Sequence, residues 1–464
     1  MVDATIFSGE RVLDALYPPT VEPAPRPLPL HKFLYRFVRN PLTSLPKEAY
    51  EEKIFRLDTP RTSIVWISDP SLIERVLLRD ADMFEKSPVE KRVFARTLGQ
   101  GVLTADGARW RWQRRAMAPM FRNLEITRDV PEMTRAAEEQ VARWRQASSD
   151  QLQAIDQDMV QTTFAIITRT MLIGGEPEEA AVIKRETERS LKHISWEMAY
   201  GMLGAPTWLP HPATWTLRRS AKKLRAAVSK IVTRRRASDL TGDDLLGRLI
   251  AAQDGESGAP MDDEQIIDNL LTLLEAGHET TSRALSWTLY LLARAPEWQT
   301  RLREEIAAVT AGEAVSAEHL SKLVVTQQVL KESMRLYPPA PVMVRMCKSE
   351  LELGGETLPA GALVVIPIFC IHRHRRLWSA PDRFDPTRFE AAREATYPRT
   401  QFMPFGGGQR ICLGSAFAMA EATAVLATLI RSARFEWDGK SFPEPVSRVT
   451  LHPKGGVWLR VSLF

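Results

Sequence analysis

The stretch Phe405-Gly-Gly-Gly-Gln-Arg-Ile-Cys412-Leu-Gly414 runs directly into a helix-forming segment, Ala416 to Ser432. A cysteine so close to a helix N-terminus meets the positive end of the helix dipole and free backbone N–H groups, both of which favour an anion. The expectation is a thiol of lowered pKa, held as a thiolate ligand. Glycines at 406, 407, 408 and 414 would let the backbone approach a flat macrocycle. A glycine turn with an inert buried cysteine is a second interpretation. A phosphate-binding loop is a third, and it fails because no Lys-Ser/Thr pair follows the glycines.

Working outward, the 464 residues are 44% hydrophobic and 26% charged, which fits a globular protein with a large core. No linker divides the chain, so the expectation is a Pro-rich N-terminal arm over 1–30 and one domain over 31–464. Pro18 to Pro29 cannot continue a helix and is expected to lie extended along the surface. Met1 to Tyr17 carries Asp3, Glu10, Arg11 and Asp14, unlike a signal peptide or membrane anchor, and a cytoplasmic enzyme without an integral anchor is expected. Three cysteines, Cys347, Cys370 and Cys412, are odd in number and irregular in spacing, which argues against a disulfide framework and leaves one free to act as thiolate. The eight histidines lack metal-ligand spacing, so no zinc site is expected. Net charge is +5, and the basic run Arg218, Arg219, Lys222, Lys223, Arg225 and Arg234 to Arg236 reads as a solvated helix face. No nucleic-acid motif accompanies it.

Apolar periodicity predicts helices over Asp262 to Arg294, Glu297 to Val309 and Leu320 to Tyr337, each bounded by proline or a cap. Arg56 to Ile67, Leu351 to Leu353, Leu363 to Pro367 and Val457 to Leu463 read as strands, and the apolar run Leu363 to Ile371 as buried strand. The class is mainly α with a small β region. Glu332 and Arg335 share a helical face three residues apart, Trp110 and Arg114 lie one turn apart, and Ala276-Gly-His-Glu-Thr-Thr281 puts a carboxylate beside a hydroxyl at a glycine that weakens the helix. Taken alone, each is an ordinary surface pair or core residue.

Taken together in order, they make the chain resemble the cytochrome P-450 family, soluble bacterial type. Phe405, Gly408, Arg410, Cys412 and Gly414 match its haem-binding loop at fixed spacing, Glu332 and Arg335 its Glu-x-x-Arg element, and Arg388 the usual partner of that pair. Thr387 stands where the family often has Glu. The resemblance implies haem b between the oxygen-activation helix and the cysteine-loop helix, with Cys412 as the axial iron ligand. It also implies that Arg410, Trp110, Arg114 and Arg345 hold the propionates, and that Glu332, Arg335 and Arg388 form a buried ionic cluster. Thr280 would hydrogen-bond dioxygen, and Glu279 would help relay protons.

The implied activity is insertion of one oxygen atom from dioxygen into a small lipophilic substrate by hydroxylation or epoxidation. Electrons would come from separate proteins, a ferredoxin or flavodoxin with a reductase, docking near Arg109, Arg111, Arg115 and Arg122. Family position places the substrate among the loop Phe84 to Leu103, the helices around Trp196 to Trp208, and Leu273, Ala276, Val342, Met343 and Val449. Met198, Met202 and Met343 would make these walls adaptable. Two other classes are a peroxide-driven peroxygenase or hydroperoxide isomerase, which needs no proton relay, and a haem-based gas sensor or carrier.

Overall fold

The computed structural model describes residues 15–464 except 25–27, 29, 59–61, 148–150, 172–175, 203, 207, 239–243 and 255–257. Most of Met1 to Tyr17 therefore lies outside the described residues. The fold is organised around one 32-residue helix, Asp263–Arg294. Asp262 starts it with a capping box: its carboxylate accepts the Gln265 N–H at 2.7 Å, and the Gln265 side chain accepts the Asp262 N–H at 3.1 Å. Pro296 opens the next helix, Pro296–Thr310. Every residue from Thr281 to Leu292 is buried. Ser282, Ser286 and Thr288 are tolerated there because each hydroxyl donates to a carbonyl three or four residues back. Helices Ile155–Met171, Thr214–Ala237, Val324–Leu336 and Ser415–Ser432 pack around this axis.

To one side stands a five-stranded sheet in the order Ile54–Asp58, Ser63–Ile67, Leu363–Ile366, Met343–Cys347, Phe84–Lys86. Among the described residues its one parallel pair joins Ile64 to Leu363 and Trp66 to Val365. A second hydrophobic cluster, containing Ile67, Val76, Leu77, Val364, Ile371 and Met403, lies against this sheet.

Several boundaries differ from expectation. Arg56 to Ile67 is a hairpin rather than one strand, with Arg56 opposite Val65. Only Leu363–Ile366 of the run to Ile371 is strand; Ile368–Ile371 is a helical turn, because Pro367 has no N–H to continue the ladder. The helix expected from Leu320 begins at Val324, where the Glu305 carboxylate accepts the N–H groups of Val325 and Thr326 at 2.6 and 2.9 Å. The described part of the Pro-rich arm is tied to the body: Tyr337 donates to Pro19 O at 2.6 Å, and Ala24 bridges Pro46.

The basic run on Thr214–Ala237 is not simply a solvated face. Lys223 reaches Glu186 at 3.1 Å, Arg225 reaches Asp268 at 2.6 Å, Arg234 reaches Glu179 at 2.6 Å and Arg236 reaches Asp263 at 2.7 Å, while Arg235 pairs with Asp244. The cations bind this helix to its neighbours.

Glu332, Arg335 and Arg388 come together in the core. Arg335 grips Glu332 in a bidentate pair at 2.7 and 2.8 Å, both side chains fully buried. Arg388 approaches Glu332 at 3.5 Å, and the Asp385 N–H donates to it at 2.8 Å. Removing the carboxylate would strand two buried guanidinium groups. Glu332→Ala is therefore expected to cost about 3–5 kcal/mol, read as a large fall in the thermal midpoint. A midpoint within 2 °C or so of wild type, about the shift of a weak surface contact in a chain of this size, would remove the cluster from the fold's supports.

Candidate functional site

The cysteine loop is closed by the Cys412 N–H, which donates to Phe405 O at 2.9 Å. Gly408 has φ +70°, and a Cβ there would lie 2.1 Å from the Leu77 carbonyl oxygen. Its glycine is thus required by the helical turn Arg75–Arg79 behind the loop as well as by its left-handed backbone. A Cβ on Gly406 would meet Met343 Sδ at 3.3 Å, and one on Gly414 would meet the Phe121 ring at 3.5 Å.

Cys412 retains accessible surface, yet burial pushes its thiol pKa up. The two facts agree if the sulfur opens on an internal cavity rather than on bulk water. The expectation of a lowered pKa is corrected here: the Gly414 N–H and the Arg114 guanidinium pull it down, but desolvation outweighs them. A thiolate at this position needs a cation, which a bound metal provides. Among the described residues no group of three or more His, Cys, Asp or Glu is placed to hold a metal ion. Iron at Cys412 would have to bring its remaining ligands with it, as haem does.

Beside the thiol the structure gathers positive charge. Arg410 stacks on Trp110 at 4.3 Å, contacts Asp106 at 2.6 Å and donates twice to Ala105 O at 3.0 Å. Arg114 lies over the same indole at 5.9 Å and has no carboxylate partner among the described residues. Arg345 faces Lys86 across paired strands, with Glu90 between them, 4.0 Å from Arg345 and paired with Lys86. Burial lowers the pKa of Arg410 first, and repulsion from Arg345 and Arg114 lowers it further. Four cations against Glu90 and Asp106 leave an excess that two carboxylates of a ligand would neutralise. The donor set fits haem with its two propionates. Lys86 was not anticipated, because only the strand register places it opposite Arg345.

On the central helix the Thr280 hydroxyl donates to Ala276 O at 2.8 Å. The Glu279 carboxylate, on the same turn, is engaged elsewhere: Arg283 donates to its Oε1 at 2.9 Å, Thr450 donates at 3.1 Å, and His452 Nε2 lies at 3.3 Å. Burial would raise its pKa, but the Arg283 guanidinium outweighs it and holds it at about 2. Burial pushes His452 down to about 3, so at neutral pH it acts as a hydrogen-bond partner rather than a charge. Glu279 and Thr280 are adjacent in sequence but make no hydrogen bond to each other.

Leu273, Ala276, Val342, Met343 and Val449 all keep accessible surface on segments that run through the interior. The segment Phe84 to Leu103 and the helix Pro177–Met202 pack together and are locked by an unanticipated cluster. Glu197, 1% exposed, is met by Arg92 at 2.9 Å, Arg96 at 2.9 Å and His211 at 3.0 Å. Trp208, by contrast, is 75% exposed. Leu203, Thr207 and the side chain of Met202 lie outside the described residues.

The cytochrome P450 family model matches residues 19–460. Among curated proteins the chain is 31% identical to a cyclooctatin synthase of Streptomyces melanosporofaciens over 88% of each chain. It is 29% identical to a pentalenene oxygenase of Streptomyces avermitilis, over 93% of this chain and 95% of that protein. It is 32% identical to the Arabidopsis thaliana cytochrome P450 72A11, over 84% of this chain and 78% of that protein. A match of nearly the whole chain, on a mainly helical fold with a haem-compatible cysteine loop, establishes that the protein belongs to the cytochrome P450 family of haem monooxygenases.

Proposed function

We propose that the enzyme carries haem b and oxygenates a terpenoid-like hydrocarbon skeleton, with electrons supplied by a separate ferredoxin or flavodoxin and its reductase. The accessible residue Cys412 next to Arg114, whose positive charge adjoins that of Arg410 and Arg345, carries this proposal. Similarity to relatives named for oxygenation of pentalenene and of cyclooctat-9-en-7-ol supports the substrate class. Apolar walls from Leu273, Ala276, Val342, Met343 and Val449 support it physically, since such a pocket gains affinity by removing apolar surface from water at about 25 cal/mol per Å².

Cys412 would ligate the iron, and Phe405 would pack beside the loop. Arg114, Arg345 and Arg410 would hold the propionates, with Trp110 stacked on Arg410. When bound, haem supplies dioxygen binding and its reductive cleavage, so that one atom enters the substrate and the other leaves as water. The Thr280 hydroxyl, on releasing the Ala276 carbonyl, would orient a water that delivers protons. Glu279 could contribute only by loosening its contacts with Arg283 and Thr450. Arg109, Arg111, Arg115 and Arg122 are exposed and would form part of the donor-docking face. Among the described residues no helix is long and apolar enough to cross a membrane.

The tie between Glu279 and Arg283 is the one observation that favours a peroxide-driven reaction, which needs no relay. Thr280→Ala separates the two. Reducing equivalents in the mutant should divert to peroxide and water by several-fold, with substrate affinity nearly unchanged; unaltered coupling would favour the peroxide route.

Cys412→His should bind some haem but lose the thiolate-specific absorption of the ferrous carbon monoxide complex. Cys347→Ser and Cys370→Ser should leave that spectrum intact, because both thiols are buried away from the loop. Survival of the thiolate spectrum in Cys412→His would exclude Cys412 as ligand.

A further inference from the structure

The central helix is sealed at 270–272 and 274 and again from 281 to 292, but Leu273, Glu275, Ala276, Gly277 and Thr280 between them keep accessible surface. This short open stretch is flanked on both sides by buried helix. Glu275 is the only ionisable side chain on this open stretch. Its Oε1 is wholly inaccessible to bulk water and has no hydrogen-bond partner in the protein. The one charge acting on it is the carboxylate of Glu279, a turn further on. Burial and that repulsion push its pKa up to about 8, so at neutral pH it is largely a protonated acid, able both to donate and to accept. A buried carboxyl without a partner is destabilising, and a leucine would fill the same space without that penalty. Leu273, Ala276 and Gly277, which share the open stretch with it, are all apolar.

Resting on the lipophilic-substrate reading above, we propose that Glu275 is the polar anchor of the substrate site, hydrogen-bonding a single hydroxyl or carbonyl oxygen on an otherwise hydrocarbon molecule. The anchor selects an already oxygenated skeleton over its parent hydrocarbon and fixes which carbon lies nearest Thr280. A site built around one such hydrogen bond discriminates against an analogue lacking it far more strongly than apolar walls discriminate by shape. The enzyme then follows a step that has placed the first oxygen on the skeleton, either water capture during cyclisation or an earlier oxygenation.

The test uses the haem-loaded protein and matched pairs, bisabolol with bisabolene and phytol with phytane, titrated by the shift of the haem absorption band. Wild type should bind at least one alcohol ten-fold or more tightly than its hydrocarbon. Glu275→Leu should abolish that preference by weakening the alcohol while hydrocarbon binding holds or tightens, and Glu275→Gln should keep most of it. The Leu variant should also melt at or above the wild-type temperature and retain the carbon monoxide spectrum. An undiminished alcohol preference in Glu275→Leu, or none in wild type, overturns the anchor while leaving the lipophilic site intact. Tightest binding by phytylamine would overturn the choice of a neutral oxygen function. No response to any of these lipophiles would overturn the lipophilic reading itself, and the anchor with it.

Discussion

The saturated hydrogen bonding of one arginine underlies the geometry of the site. Arg335 has five N–H donors, and all are used: two on Glu332 and one each on the carbonyls of His372, Pro381 and Arg383. Burying an ion pair gains little net stability, but a pair whose every donor is directed to a fixed acceptor sets position. From His372 the order continues, because its Nε2 accepts the Met403 N–H at 3.0 Å, two residues before Phe405. The cysteine loop is thus referenced to the helix Val324–Leu336 through a chain of directional contacts.

A second determinant is the imbalance of charge beside the thiol. Desolvation raises the Cys412 pKa and lowers those of Arg114 and Arg410, so each group is held in a setting that disfavours its charged form. A ligand bearing a metal cation at its centre and two carboxylates at its edge relieves both strains at once. The charge distribution of the site is complementary to that of such a ligand.

Local signals in the sequence carried the class and the long elements well. The Asp262 cap, the prolines after the helices and the glycine loop are all contacts within a few residues, and the elements they mark occur within a residue or two of the expected limits. Failures came where a distant segment decided the outcome. Glu305 trims the helix that seemed to begin at Leu320, and a strand pairing some 260 residues apart in sequence brings Lys86 opposite Arg345. The basic run on Thr214–Ala237 looked like a solvated face because its partners Glu179, Glu186, Asp244, Asp263 and Asp268 lie on other elements. Glu275 went unnoticed for a related reason: beside Glu279 it looks like an ordinary helix-surface charge, and only the three-dimensional packing shows that nothing in the protein pairs with it.

The division of the central helix into a sealed half and an open half bears on how such an enzyme changes over generations. Residues 281–292 touch protein on every side, so substitution there is paid in stability. Leu273, Glu275, Ala276 and Thr280 keep accessible surface, so exchanging them disturbs the packing of the core less. Variation can therefore be tolerated at a few side chains on about two turns of helix, while the rest of that helix preserves the scaffold unchanged.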